Sequence, residues 1–386
     1  MTMKRTWTFA LLAAALTVTV ASSSLVLGKG KPPKDDPPPP DPPPVTYQIT
    51  WVEVPGNSGN YVRGINNAGV AVGRTNNADA TIYYAFRYSI GGGMDNLNSE
   101  IDPNSGWDLT EARGINDSGQ IVGVGWINGE ERAFRYRPAG SDDGVSPAVN
   151  TVDDLGKLDP SHVYCQANAI NNSGEVCGYS IDAFGLSHAF YYSDASGLIE
   201  IAAGADATAG DINNTGQVVG KSRSDNTAFR YSPATQFLET FESPDGNQIS
   251  TSAGGINDSG QFVGGTQFSA PKGKNKEDKR AFRYTDGLQS EFENLGAGQG
   301  SSGVDINSSG DVVILEGFLG FVYLEQHSAL VNLDDAVTGP EAADWLSALN
   351  KDPRYINDSG QITGHVSFGY GLGGRGFILT PIPASP

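Results

Sequence analysis

The stretch RGINDSGQIVG, Arg113–Gly123, returns in altered form along the whole chain, and its reading decides the fold. Aligned on Asn-x-x-Gly it gives seven copies, with asparagines at Asn66, Asn116, Asn171, Asn213, Asn257, Asn307 and Asn357, spaced 42 to 55 residues apart. An isoleucine precedes each asparagine. A short apolar run follows each turn and ends in glycine, except in the sixth copy, where Ile314 stands instead. An asparagine heading a turn accepts a backbone N–H through its side chain, and glycine three residues later takes positive φ without steric cost. The string therefore reads as a type I turn with a following bulge, joining two strands.

Each unit carries a second signature: YAFRY, RAFRY, HAFYY, TAFRY, RAFRY, LGFVY and RGFIL, centred on Phe86, Phe134, Phe190, Phe229, Phe282, Phe321 and Phe377. Phe and the residue two positions on share one side of a strand. A weaker apolar piece often follows, as near Leu155 and Leu295. Four strands in such a repeat is the content of one propeller blade, so the expected fold is all-β, a seven-bladed β-propeller of four-stranded blades. The ends of the chain fit this reading. The seventh copy stops after its third strand, while TYQITWVEV, Thr46–Val54, stands unpaired before the first copy. If this N-terminal strand completes the last blade, the array closes without a long exposed edge. An open β-solenoid is the alternative, and there the extra strand would have no special partner.

The pattern INxxGxVVG followed by HAF, fullest in AINNSGEVCGYSIDAFGLSHAFYYS at Ala169–Ser193, resembles the bacterial extracellular HAF-repeat family. The resemblance spans residue 46 to the end. His188 alone keeps the family's histidine; Tyr84, Arg132, Thr227, Arg280, Leu319 and Arg375 replace it elsewhere. The resemblance implies export and carries no established activity.

Lys4 and Arg5 precede an apolar run followed by small residues, so 1–24 reads as a secretory signal peptide. Residues 25–45 form a charged, proline-rich linker, and 46–386 the repeat domain. A secreted chain, extracellular or periplasmic, is expected, with membrane attachment only if the N-terminal segment stays uncleaved. The formal net charge of −19 argues against nucleic acid as a partner. Cys165 and Cys177 flank one turn and are a candidate disulfide in an exported protein, the alternative being two buried thiols.

No GxSxG or HExxH occurs, and the four histidines lack metal-ligand spacing. DINSSGDVVILE, Asp305–Glu316, offers Asp305, Asn307, Ser309 and Asp311 as a calcium loop, the competing reading being a repeat turn that carries Glu316 away along a strand. Calcium is the only cofactor the sequence suggests. Sequons at six of the turn asparagines fall out of the turn consensus itself. The arginines of the Phe-Arg-Tyr strings, Arg87, Arg135, Arg230 and Arg283, are expected on an outward face. Pro271–Arg280 reads as an inserted solvated loop, and Gly339–Asn350 as a helix outside the blades.

Arg63, Arg113 and Arg354 each stand three residues before a turn asparagine in copies one, two and seven. In a closed ring these copies are neighbours and their strand is the innermost, so three guanidiniums would meet an anionic group such as a carboxylate or sulfate near the channel. The expected function is a non-catalytic binding module, acting as a monomer, for an extracellular glycan, peptide or protein. The alternatives are a carbohydrate-active enzyme with carboxylates at the channel mouth and a structural envelope or matrix protein. A buried carboxylate pair would favour the enzyme.

Overall fold

Each Asn-x-x-Gly string forms the turn its chemistry dictates. The asparagine Oδ1 accepts the backbone N–H four residues on, at 2.9 to 3.1 Å in all seven copies. The glycine three residues on has φ between 74° and 87°, a region that L side chains avoid. These turns join the first and second strands of seven antiparallel units in a computed structural model whose described residues run from 45 to 382. Within that span 54–56, 58, 78, 80, 141–148, 205, 243–247, 269–277, 287–290 and 370–373 are not described. The expected signal peptide, the linker up to residue 44 and most of the Pro271–Arg280 insertion lie outside the described residues. Arg280 itself belongs to the strand Asp278–Thr285.

The first unit comprises strands Gly59–Ile65, Ala71–Asn76, Tyr83–Ser89 and Gly93–Asn96, hydrogen-bonded in that order. The next five repeat this four-stranded meander, the second and third sharing one parallel bridge between Glu131 and Tyr164. The last unit takes three strands, Asn350–Ile356, Ile362–Ser367 and Gly374–Ile382, from the C-terminal end, and Thr46–Val52 is its fourth. That strand pairs antiparallel with Gly374–Ile382, Trp51 standing opposite Phe377. Its other edge is covered by Val337–Thr338, which pairs with Tyr47 and Gln48.

Among the described residues the buried apolar side chains fall into seven clusters, each shared by two consecutive units. One of them packs Val52 and Ile378 of the last unit against Val62, Ala71 and Phe86 of the first. Six of the seven signature phenylalanines are at most 4% exposed, and Phe321 is partly buried. Both faces of a sheet are therefore covered, one by the preceding unit and one by the following unit.

This packing corrects two expectations. Arg135, Arg230 and Arg283 do not face outward: they are 1%, 7% and 5% exposed. Each donates to the carbonyl of the turn glycine in the next unit, Gly174, Gly260 and Gly310, at 2.9 to 3.2 Å. Each also pairs with one acid of its own fourth strand and one acid of the next unit, as Arg283 does with Glu293 and Glu325 at 2.6 Å. Only Arg87, beside Asp95 and Glu100, is as open as expected. Cys165 and Cys177 are buried free thiols rather than a disulfide. Cys165 packs between the second and third units and Cys177 between the third and fourth, on opposite faces of one sheet. Burial pushes the Cys165 thiol up to about 12 and raises Cys177 as well.

The glycine that ends the second apolar run is required by close approach. A Cβ at Gly73, Gly123, Gly178, Gly220, Gly264 or Gly364 would overlap a carbonyl oxygen of the first strand. The sixth unit solves this differently. Ile314 faces Gly303, whereas the other glycines face Val62, Ala112, Ala167, Ala209, Ala253 or Pro353. The small residue has moved to the partner strand.

The expected helix forms over Ala342–Ser347, but it is not detached from the last unit. Trp345 is fully buried, 5.1 Å from the Phe377 ring, and donates to Asp334 at 2.9 Å. Among the described residues no helix is long and apolar enough to cross a membrane.

Candidate functional site

The turn asparagines make a second bond that the sequence did not announce. Their Nδ2 donates to the backbone carbonyl of the next unit's asparagine, from Asn66 to Asn116, Asn171, Asn213, Asn257, Asn307 and Asn357, and from Asn357 back to Asn66. All seven distances lie between 2.9 and 3.3 Å. The next residue along makes a parallel set. The N–H groups of Asn67, Asp117, Asn172, Asn214, Ser308 and Asp358 each reach the following unit's side-chain Oδ1 at 2.8 to 3.0 Å. At the remaining step the acceptor position holds Ser308, whose side chain is one atom shorter.

A central cavity of 170 Å³ is lined by these asparagines, their neighbours and all seven preceding isoleucines. Beyond the isoleucines lies a second cavity of 260 Å³. Its shape follows from a bulge that recurs in every first strand, three residues before the turn asparagine, at Arg63, Arg113, Asn168, Gly210, Gly254, Val304 and Arg354. A bulged residue escapes the ladder and is re-aimed. The bulged positions are unevenly filled: arginines stand in units seven, one and two, and small or apolar residues in units four to six.

The structure brings Arg63 and Arg113 together on one carboxylate. Glu111 Oε1 accepts from Arg63 Nε at 2.8 Å and from Arg113 Nη1 at 3.0 Å, and Arg74 approaches Oε2 at 3.6 Å. Arg113 Nε also donates to Asn168 at 3.1 Å. Arg354 is held apart, its Nε on Asp352 at 2.7 Å, and is the most exposed of the three expected arginines. Lys279, with no hydrogen-bond or ion-pair partner among the described residues, adds to this end: burial lowers its pKa, and the charges of Lys221 and Arg354 lower it further. His365 is pushed down to about 4 by burial, against the pull of Asp352, with Arg63, Arg354 and Arg74 adding to the depression. It is therefore a neutral ring at pH 7, with its Nδ1 buried and unpaired.

Two residues before each asparagine the column reads Gly64, Gly114, Ala169, Asp211, Gly255, Asp305 and Tyr355. Asp211 accepts from Ile212 N at 2.8 Å and from Ile256 N, in the next unit, at 2.9 Å. Asp305 does the same for Ile306 at 2.9 Å and Ile356 at 2.8 Å. Burial pushes Asp211 up to about 6 against these donors. Asp305 is raised well above the usual carboxylate range by burial and by the charge of Asp211. Sequence reading weighed Asp305 as a calcium ligand and saw in DINNTG, at Asp211, a stretch that begins the same way but has Ser222 at the twelfth position. The signal was this column, where two carboxylates stand among small residues.

The unfolded chain releases these protons near pH 4, whereas the folded chain holds them to higher pH. Their stabilising contribution is present in acid and lost as pH rises through about 6. Replacing both by alanine should therefore lower the melting temperature more at pH 5 than at pH 8, measured by thermal denaturation. An equal loss at both would refute the raised values.

The expected calcium loop is a repeat turn here. Asp305 is committed to two backbone donors, and Asp311 Oδ1 accepts from Glu325 N at 2.9 Å. Asn307 belongs to the asparagine belt, and Ser309 lies in the exposed turn. Glu316 is carried to the far end of its strand, opposite Ser301. Among the described residues no three acidic, histidine or cysteine side chains are grouped to hold a metal ion.

No family model matches the chain, and no curated protein does. Solved structures do. The extracellular domain of a protein assigned as a hybrid two-component system from B. thetaiotaomicron superposes with a TM-score of 0.50 at 12% identity. The match covers 88% of this chain and 40% of that one. The WD40 repeats of RRP9 superpose with a TM-score of 0.47 at 10% identity, covering 88% of this chain and 100% of that one. The β-propeller domain of the Trilobed protease from Pyrococcus furiosus gives 0.43 at 9% identity, covering 88% and 84%. This chain thus spans less than half the length of the first of these. The repeated four-stranded meander and the apolar clusters shared by consecutive units define an all-β repeat protein of β-propeller type.

Proposed function

We propose that the chain is an exported, monomeric, seven-bladed β-propeller closed by Thr46–Val52, and that it acts as a non-catalytic binding module through the arginine-bearing end of its cavity. Seven units with seven shared apolar clusters support closure, since a linear stack of seven has six interfaces. The resemblance to HAF repeats, the signal-like residues 1–24 and the tether 25–45 support export of a folded domain 46–386. The partner is an extracellular glycan, peptide or protein bearing anionic groups.

The observation that carries this reading is local charge reversal. In a chain of net charge −19, Arg63, Arg74, Arg354 and Lys279 gather around Arg113 of the cavity wall, with only Glu111 and Asp352 as direct ion-pair partners among the described residues. Such a focus attracts an anion that the acidic remainder of the surface repels. The test is an array of acidic and neutral glycans probed with the wild-type chain and an Arg63→Gln/Arg113→Gln/Arg354→Gln variant. Binding confined to acidic glycans and lost at least about tenfold in the variant is expected. Equal binding by both proteins would remove the proposal.

A second reading, a carbohydrate-active enzyme, draws on the buried Asp211 and Asp305. Each has both carboxyl oxygens engaged by backbone N–H groups, which suits structure better than proton transfer. Polysaccharide cleavage that disappears in an Asp211→Ala/Asp305→Ala variant with an unchanged fold would favour the enzyme.

A further inference from the structure

The two buried aspartates show what the cavity wall is built to hold. The bond from Asn66 N to Val70 O, and its counterparts at Asn116 and Asn171, place Ile65, Ile115 and Ile170 at non-hydrogen-bonded positions of their strand pairs. At such positions the N–H points away from the partner strand, and on a first strand that direction is the cavity. The equivalent N–H groups of Ile212, Ile256, Ile306 and Ile356 are the four taken by Asp211 and Asp305. Four wall donors in units four to seven thus hold carboxylate oxygens, each carboxylate bridging two adjacent units. Among the described residues the wall donors of units one to three have no carboxylate.

They adjoin Arg113, which lines the same cavity and whose Nη2 has no partner among the described residues. The residues that would have to supply an internal carboxylate there are Gly64 and Gly114, which line the cavity and carry no side chain. Backbone N–H groups converging beside a guanidinium form an anion receptor, and charge-assisted bonds of this type are the stronger ones.

We propose that this third of the cavity binds the carboxylate of a ligand, of which a uronic acid is the simplest glycan example. Its two oxygens bridge adjacent N–H groups among Ile65, Ile115 and Ile170, and Arg113 balances its charge. The inference rests on the binding reading above and specifies its chemistry. The bound group imitates Asp211 and Asp305, so the protein carries its own template for the ligand.

The test uses the full chain labelled with ¹⁵N-isoleucine and titrated with D-glucuronate, D-glucose and sulfate. Glucuronate should shift the amide signals of at least two of Ile65, Ile115 and Ile170, while glucose leaves them in place and sulfate acts more weakly. Gly114→Asp should move Ile115 and Ile170 without ligand and weaken glucuronate binding about tenfold or more. At Gly114 a Cβ meets Ala169 Cα at 3.0 Å, so that backbone must give by a few tenths of an ångström. If that variant does not fold, Arg113→Met should weaken glucuronate binding to a similar degree.

Stationary amides at about 50 mM glucuronate, equal responses to glucose or sulfate, or affinity unchanged in both variants would overturn the inference. Acidic-glycan binding that needs the three arginines while these amides stay fixed would discard the inference and leave the proposed function standing.

Discussion

A chain beginning at residue 53 should fail to fold, or should melt far below one beginning at residue 45. The missing strand, Thr46–Val52, inserts Tyr47, Ile49 and Val52, all at most 5% exposed, into the two clusters that flank the last unit. Burying side chains of this size contributes roughly 1.5–3 kcal/mol each, so for the three about 4.5–9 kcal/mol is lost together with a full strand ladder. Domain stabilities are about 5–15 kcal/mol in all. The strand's absence also strips Gly374–Ile382 of one of its two partners and leaves an apolar edge open to aggregation. Near-ultraviolet circular dichroism and thermal melts of the two chains read the difference. A truncated chain with unchanged melting would mean that the last unit does not need its N-terminal strand.

The second large effect is expected from Asn257→Asp, a change of nearly constant volume. Asn257 is 4% exposed; its Nδ2 donates to Asn307 O and Gln261 Oε1, and its Oδ1 accepts from the N–H groups of Gln261 and Ser259. Aspartate keeps the acceptor but presents a second oxygen to two oxygens. Leaving buried groups without their partner costs about 1–3 kcal/mol each, and more for a charged group, so a loss of roughly 3 kcal/mol or more at pH 8 is expected. The folded state prefers the protonated acid, which can still donate, so the variant should regain stability as pH falls and lose it again as pH rises through its raised folded pKa. Urea denaturation at pH 5 and pH 8 measures this. Insensitivity of the variant to pH would show that the belt is dispensable.

The turn, the strand count within a unit and the partner of Thr46–Val52 were legible because each rests on local chemistry or on an inventory of strands. Asparagine and glycine at fixed spacing specify a turn wherever they occur, and a unit short of one strand at one end of the chain matches a spare strand at the other. The side on which a residue lies was less legible. In a stack of sheets both faces of most strands are buried, so alternation does not separate inside from outside. That is why Arg135, Arg230 and Arg283 prove to be links between units, and why Cys165 and Cys177, though close in sequence, face different neighbours.

The arginine cluster was visible as a column of the repeat, but its counter-charge was not. Glu111 lies in the same strand as Arg113, two residues earlier, and spacing alone does not show that it also takes Arg63 from the neighbouring unit. The carboxylates of Asp211 and Asp305 were hidden for another reason. Their role depends on N–H groups that point away from the partner strand, and that direction shows in strand register, not in residue type.

The central claim is that the seven units return on themselves. Ala68 and Ser359 are exposed turn residues of the first and last units, and the native cysteines are buried, so Ala68→Cys/Ser359→Cys accepts two spin labels selectively. Their separation by double electron–electron resonance should be that of adjacent turns, roughly 10–20 Å, because neighbouring sheets pack about 10 Å apart. A separation near 60 Å, six such spacings, would place the units in a line and contradict the account.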